Sequence, residues 1–304
     1  MEYSSKRVRR GFSIDTQNKV ININGEIFTD PSQAKVSVFD RGFLFGDSIY
    51  EVTDAYEMTP CFLEEHLDRL WISAGKLFMP INYSRDEIAS EINKCLKKLN
   101  SPRAYIRIII TRGEGEITLD PSNAGRNNLI IICRSLQVNP SWWYENGVEV
   151  VIAQTKRTAI ESMDPSIKSG NYLNNILAFN EAASKGAYDA IMLNHDSKIT
   201  EGTTSNAWLV KDGTFYTPAL KAGLLGGITR AKLIELCNEN SINVKEEDIT
   251  IEQLKGADEV FLTSSTKRII PVVKIDDHIV GSGKPGSHSL NLLNLYLSKY
   301  QLPR

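Results

Sequence analysis

The sequence predicts an α/β (α+β) protein built as two domains, and three observations carry that expectation. Strand-like and helix-like patterns alternate along the chain; its 304 residues, 41% of them hydrophobic, suffice for two cores; and the pattern breaks at one polar stretch before restarting. That stretch, Leu136-Gln137-Val138-Asn139-Pro140-Ser141, is the expected interdomain linker. The division read from it is an N-terminal extension over 1–16, a small α/β domain over 17–135, a linker over 136–143 and a large domain over 144–304.

Taken in order, residues 17–60 read as short strands and turns: Val20-Ile21-Asn22-Ile23 alternates, and Asn24-Gly25 ahead of Glu26-Ile27-Phe28 is a hairpin signal. From Glu64 to Phe78, apolar residues Leu67, Leu70, Trp71, Ala74, Leu77 and Phe78 recur at spacings of three and four, the stripe of an amphipathic helix. Asp86 to Leu99 repeats it with Ile88, Ile92, Cys95, Leu96 and Leu99. Ala104–Thr111 and Asn128–Cys133 are isoleucine-rich, as buried strands are, so the first half reads β-β-α-α-β-β. Beyond the linker, Val148–Ala153, Ala190–Leu193, Ala207–Val210, Thr214–Tyr216 and Glu259–Thr263 are strand-like, with Asp212-Gly213 as a turn. Gly170–Ser184, stopped by Gly186, and Thr229–Glu239 read as helices.

Composition narrows the function. Lys and Arg total 35 against 37 Asp and Glu, with neither sign concentrated, which disfavours nucleic acid or a membrane surface as partner and leaves a small molecule as the default ligand. No apolar run approaches the ~20 residues that span a bilayer. Lys6, Arg7, Arg9 and Arg10 lack the apolar run of a secretory signal behind them, so a cytoplasmic location is expected. Cys61, Cys95, Cys133 and Cys237 have no zinc-like spacing and read as reduced, packed thiols. His66, His195, His278 and His288 are too scattered to suggest a metal site or a histidine-based triad. The expected metal set is empty.

A lysine is ordinarily solvated. Lys168 differs in its setting, between Asp164-Pro165-Ser166-Ile167 and Ser169-Gly170-Asn171-Tyr172, small and polar residues just ahead of an apolar helix. A stem packed there can carry its amine to the mouth of a pocket. Around it lie ordered stretches: 39–51 (FDRGFLFGDSIYE), 65–70 (EHLDRL), 167–175 (IKSGNYLNN), 200–206 (TEGTTSN), 227–230 (GITR), and 261–266 (FLTSST) before Ile270-Pro271-Val272. Together these resemble the fold-type IV pyridoxal-5′-phosphate (PLP) enzymes: branched-chain and D-amino-acid aminotransferases, (R)-amine transaminases and aminodeoxychorismate lyase. The resemblance covers about Val36 to Val272.

The resemblance implies roles, and the residue types suit them. Lys168 matches the lysine that carries PLP as a Schiff base and, once released, moves a proton between substrate and cofactor. Glu201 matches the carboxylate that pairs with the pyridine nitrogen and keeps it protonated. Arg69 matches the phosphate-binding arginine. Ile228 and Thr229 open a helix whose free N–H groups suit the same phosphate, with Ser265 and Thr266 supplying further donors. Tyr172 matches the tyrosine near the cofactor ring oxygen. The implied fold is two α/β domains, a smaller N-terminal and a larger C-terminal one, with PLP between them, in a homodimer or higher homo-oligomer.

For substrate, Ala104-Tyr105-Ile106-Arg107 and Gly170-Asn171-Tyr172 resemble the branched-chain enzymes, in which the tyrosine and arginine line the pocket. They imply a branched-chain L-amino acid as donor and a 2-oxo acid such as 2-oxoglutarate as acceptor, exchanged by a ping-pong mechanism. Structurally, Tyr105 and Arg107 are also alternate positions of one strand, which packing alone can explain. Two departures matter. One residue fewer separates Lys168 from Gly170-Asn171-Tyr172 than in the branched-chain enzymes, and Tyr50-Glu51-Val52 resembles the D-amino-acid enzymes. After Thr111-Arg112-Gly113, however, Glu114 and Glu116 stand where those enzymes hold a carboxylate with Arg-x-His. Aminodeoxychorismate lyase is disfavoured by Ser169 in place of a histidine. A ligand-binding protein on the same scaffold is the non-enzyme alternative, and it predicts loss of Lys168 or Glu201, both present.

Overall fold

The computed structural model describes residues 18–303; the expected extension over 1–16 lies outside them. The first half contains β1 (Lys19–Ile23), β2 (Glu26–Phe28), α1 (Arg41–Phe45), β3 (Ser48–Tyr56), β4 (Thr59–Pro60), α2 (Leu63–Lys76), α3 (Arg85–Leu99), β5 (Arg103–Thr111) and β6 (Leu129–Ser135). Its strands form one six-stranded antiparallel sheet in the order β2-β1-β6-β5-β3-β4.

The expected β-β-α-α-β-β order is therefore incomplete. It omits α1, β4 and the nine-residue β3. The physical reason is that β3 buries Glu51, Thr53 and Asp54, so its polar residues hide a strand from any hydrophobic pattern. Both helices expected in this half are present: α3 carries the capping box Ser84–Glu87, and its buried Ile88, Ile92, Cys95, Leu96 and Leu99 are the predicted stripe.

Period-two alternation divides this sheet. On β5, Ala104, Ile106, Ile108 and Ile110 are buried in the core with Leu67, Leu70 and Ile92 of the helices, each large side chain contributing about 1.5–3 kcal/mol. Tyr105 and Arg107 consequently face the other way. Register pairs Arg107 with Val52 and Ile109 with Tyr50, so these residues share the face turned from the helices.

The second half contains α4 (Trp142–Glu145), β7 (Val148–Ile152), α5 (Leu173–Ser184), β8 (Asp189–Leu193), β9 (Ile199–Gly202), β10 (Asn206–Lys211), β11 (Thr214–Pro218), α6 (Ile228–Glu239), β12 (Val244–Glu247), α7 (Ile251–Lys255), β13 (Glu259–Ser264), β14 (Arg268–Ile275), β15 (His278–Ile279) and α8 (Ser287–Lys299). They build a nine-stranded sheet in the order β12-β11-β10-β13-β14-β7-β8-β9, with β15 on β14. A further pairing of Asn206 with Glu201 joins β9 back to β10 and closes part of the sheet into a ring.

Alternation again assigns the faces. Val148, Val150, Ile191, Leu193, Ala207, Leu209, Val260, Leu262, Ile270 and Val272 make one core. Their neighbours Trp208, Val210, Phe261 and Ile269 pack outward against α6 and α8, while Ala190 and Met192 pack against Ala178 and Ala182 of α5. The four cysteines are free and buried.

One expected boundary moves. The helix read from Gly170 begins at Leu173, because the chain before it is stitched to β3. Tyr50 N–H donates to the Lys168 carbonyl at 2.9 Å and Gly170 N–H donates to the Ser48 carbonyl at 2.8 Å. A side chain at Gly170 would meet Ser48 Oγ at 2.2 Å, so glycine is what permits that approach. Lys168 is thus held to β3 through its own carbonyl, ahead of the start of α5.

Candidate active site

A cavity opens between the two sheets, and every residue singled out from the sequence lines it: Lys168, Arg69, Tyr172, Glu201, Ile228, Thr229, Ser265, Thr266, Tyr50, Tyr105 and Arg107. Lys168 is half-buried. Its Nζ lies 4.4 Å from the Tyr50 ring centroid and 5.9 Å from that of Tyr172, and the two rings meet edge to face at 5.4 Å. Tyr172 therefore reaches the cavity despite the shortened spacing. Burial, and next the adjacent Tyr172, push the Tyr50 phenol well above its usual range, so it stays neutral. The Arg107 guanidinium stacks over the same ring at 4.0 Å.

At one end of the cavity stands Arg69. On sequence alone it passes for a helix-surface arginine, but only 12% of its side chain is exposed. Its Nε and Nη2 donate to the two oxygens of Glu51 at 2.7 Å each, and Nη1 donates to the Gly226 carbonyl at 2.7 Å. Burial alone would raise the Glu51 carboxyl, but Arg69 and His66 bring it down to about 2. His66 Nδ1 is 2.7 Å from Glu51 Oε2, and its Nε2 is 3.4 Å from Ser265 Oγ. Burial lowers the His66 imidazole below its usual value despite Glu51.

Thr229 lies in the first turn of α6, whose N-cap Gly227 offers no side-chain bond to the leading N–H groups. A side chain at Gly227 would meet Asn206 Oδ1 at 1.9 Å. Glycine there lets the helix start press against the ring where β9 and β10 close. Free N–H groups, a positive helix end, Arg69 and the Ser265 hydroxyl form a donor set suited to a phosphate.

At the other end, Glu201 is 5% exposed. Arg157 Nε donates to its Oε1 at 2.8 Å and Leu225 N–H to its Oε2 at 3.2 Å. Burial raises its carboxyl above the usual range, and the neighbouring Arg157 only partly offsets that. A cation beside this carboxylate, such as a protonated pyridine, would relieve the cost. An amine, a phosphate cradle and a buried carboxylate in one cavity match the three handles of pyridoxal phosphate.

Sequence reasoning missed the residues behind these groups. Glu51, His66 and Asn175 lie inside matched stretches but carry no expected role; Arg157 and Lys267 lie outside them and have no sequence signal. A buried carboxylate requires a counter-charge, but its place in the chain is set by tertiary structure. Asn175 donates to the Thr203 carbonyl at 2.8 Å, and Lys267 lines the cavity beside Thr266.

Residues 48–275 match the family model described as amino-transferase class IV. A putative branched-chain-amino-acid aminotransferase of Methanocaldococcus jannaschii is 36% identical, covering 88% of this chain and 91% of its own length. A D-alanine aminotransferase of Bacillus licheniformis is 34% identical, covering 88% and 93%. Among solved structures, the T.th. branched-chain amino acid aminotransferase with pyridoxamine 5′-phosphate superposes with a TM-score of 0.87 at 28% identity, over 92% of this chain and 93% of that one. The same enzyme is also known with N-(5′-phosphopyridoxyl)-L-glutamate. With a class IV match from Ser48 to Ile275 laid over a cavity that suits pyridoxal phosphate, the chain belongs to the class IV aminotransferases, PLP-dependent transferases of amino groups.

Proposed function

We propose that this enzyme moves the amino group of a branched-chain L-amino acid to a 2-oxo acid such as 2-oxoglutarate, in two half-reactions that share one site. The observation that carries the catalytic assignment is the convergence of Lys168, Glu201 and Arg69, remote in sequence, on a single cavity. When bound, PLP supplies an electron sink for the carbanion left by loss of the substrate α-proton. Lys168 Nζ would tether the cofactor and, once freed, would act as the base that carries the proton between the substrate α-carbon and the cofactor carbon C4′, in one direction for the donor and in the reverse direction for the acceptor. Glu201 would hold a proton on the pyridine nitrogen. Arg69, the N–H groups of Ile228 and Thr229, the Thr229 hydroxyl and Ser265 would hold the phosphate, with Thr266 beside them. Tyr172 flanks the ring, and the Tyr50 and Tyr172 faces exclude water around the amine.

The substrate assignment draws on the strand face that carries Tyr50, Val52, Tyr105 and Arg107, all in the cavity wall. Aromatic rings and a valine suit an aliphatic side chain, and the Arg107 guanidinium suits a carboxylate. The relatives named branched-chain enzymes, and the L-glutamate adduct of one of them, support the same choice. A second reading, D-amino-acid transfer, is favoured by Tyr50-Glu51-Val52 and by the D-alanine aminotransferase relatives. The test is a half-reaction titration that follows loss of the cofactor's visible band with L-leucine, D-alanine, D-glutamate and (R)-1-phenylethylamine. Rapid conversion by L-leucine alone is the expected result; conversion by a D-amino acid instead transfers the assignment to the second reading.

The same proposal covers assembly. Phe39, Phe43, Ile117 and Leu119 are exposed on two segments bonded to each other, Arg41 donating to the Thr118 carbonyl at 2.7 Å. Leu173, Ile176 and Leu177 on α5 are exposed as well, and exposed apolar side chains of this kind suit a homodimer interface. Among the described residues no helix is long and apolar enough to cross a membrane. The two sheets with separate cores support the division into domains over 17–135 and 144–304.

A further inference from the structure

Two of the phosphate donors are linked through the interior by a chain of four side chains: Ser265, His66, Glu51 and Arg69. Glu51 and His66 are fully buried. Glu51, gripped through both oxygens by Arg69, is an acceptor only. His66 Nδ1, 2.7 Å from it, must therefore carry a hydrogen. In the neutral ring this leaves Nε2 as a bare lone pair facing Ser265 Oγ, and the Ser265 hydrogen turns toward His66. That orientation presents serine lone pairs to the cavity, the wrong polarity for a phosphate.

We propose that His66 takes up a proton from solvent when a phosphate monoester dianion seats against Ser265, making cofactor retention depend on the charge of a histidine that does not line the cavity. With Nε2 protonated, His66 donates to Ser265 Oγ, and the serine hydrogen is free to point at the phosphate. Both arrangements keep every donor matched to an acceptor. The charges around His66 favour the same change. Glu51 on β3 is anionic; Arg69 and the Lys168 ammonium are cations, and Glu65 on α2 is paired with Lys232. Without phosphate the cations facing His66 outnumber Glu51 and oppose a further positive charge. A dianion, together with the tethering of Lys168, reverses that balance. His66 is a positioning residue, acting through Ser265.

The inference rests on the assignment of Arg69, Thr229 and Ser265 to the phosphate, and the experiment separates the two. Holoenzyme labelled with 15N-histidine is titrated between about pH 7 and 9, above the ordinary histidine range, with the His66 resonance identified by its loss in His66→Gln. The expected spectrum has both His66 ring nitrogens protonated while the cofactor's visible band persists. In the same range the cofactor's dissociation rate rises with pH, by up to about tenfold per pH unit where His66 titrates. Ser265→Ala, which cuts the chain at its outer end without touching the buried pair, leaves dissociation independent of pH and His66 neutral. A holoenzyme whose His66 keeps one bare ring nitrogen throughout overturns the inference alone. A parent protein that never acquires the visible band overturns the cofactor assignment and the inference with it.

Discussion

The two ends of the cavity are each served by one arginine and one glutamate, arranged in opposite senses. At the phosphate end Arg69 lines the cavity and Glu51 lies behind it; at the ring end Glu201 lines the cavity and Arg157 lies behind. The chemistry follows which partner is set forward. Glu51 is fully buried yet brought down to about 2 against the cost of burial, so its two oxygens hold the Arg69 fork in a fixed orientation. Glu201 receives one guanidinium hydrogen bond, from Arg157 Nε, and burial leaves its carboxyl raised. It remains able to gain from a second cation. One pair is satisfied without a ligand, and the other is completed by one.

This comparison requires both pairs to address a single molecule tethered between them. Lys168→Ala breaks that requirement and should have the largest effect: loss of detectable transamination and of the visible absorption that PLP gains on joining a lysine, read in one spectrum of the purified variant. An unchanged band would remove Lys168 from its role.

Glu201→Gln sharpens the comparison. It keeps the shape and can still accept from one of Arg157 and Leu225, but its amide NH2 cannot accept from the other, and it removes the charge that would hold a proton on the ring nitrogen. Turnover should fall by about 10²–10³-fold, the size of a lost charge contact in a transition state, with substrate KM changed far less. If turnover and KM move together instead, Glu201 shapes the pocket rather than tuning the cofactor.

What could be read from the sequence follows the same division between groups that face the cavity and groups behind it. Lys168, Glu201, Arg69 and the opening of α6 sit in the stretches that carry the family resemblance, and the structure brings them to one cavity. Tyr105 and Arg107 are singled out by the resemblance, and period two on β5 puts them on one face. Arg157 and the His66–Ser265 contact join segments far apart in the chain, and no local pattern records that pairing. The fold was legible where apolar periodicity was clean, as in α3 and β5. It was hidden in β3, where Glu51, Thr53 and Asp54 are buried because other segments partner them.

The smallest expected effect concerns the satisfied pair. Its folded-state carboxyl lies below the usual one, so the stabilisation is complete above the unfolded value near 4.5 and is lost as pH falls toward about 2. That gap corresponds to roughly 3 kcal/mol at most. Glu51→Gln mimics the protonated acid at every pH, so the Tm difference between parent and variant should be widest near neutrality and close progressively below about pH 4.5, in thermal melts at stepped pH. Glu201 runs the other way: its carboxyl is raised by burial, so the parent gains stability as acid protonates it, and the Tm difference for Glu201→Gln should shift over the acid range in the opposite sense. A parent-to-variant gap at Glu51 that stays constant across the acid range would mean that shape, not charge, holds Arg69 in place, and the contrast between the two ends would reduce to packing.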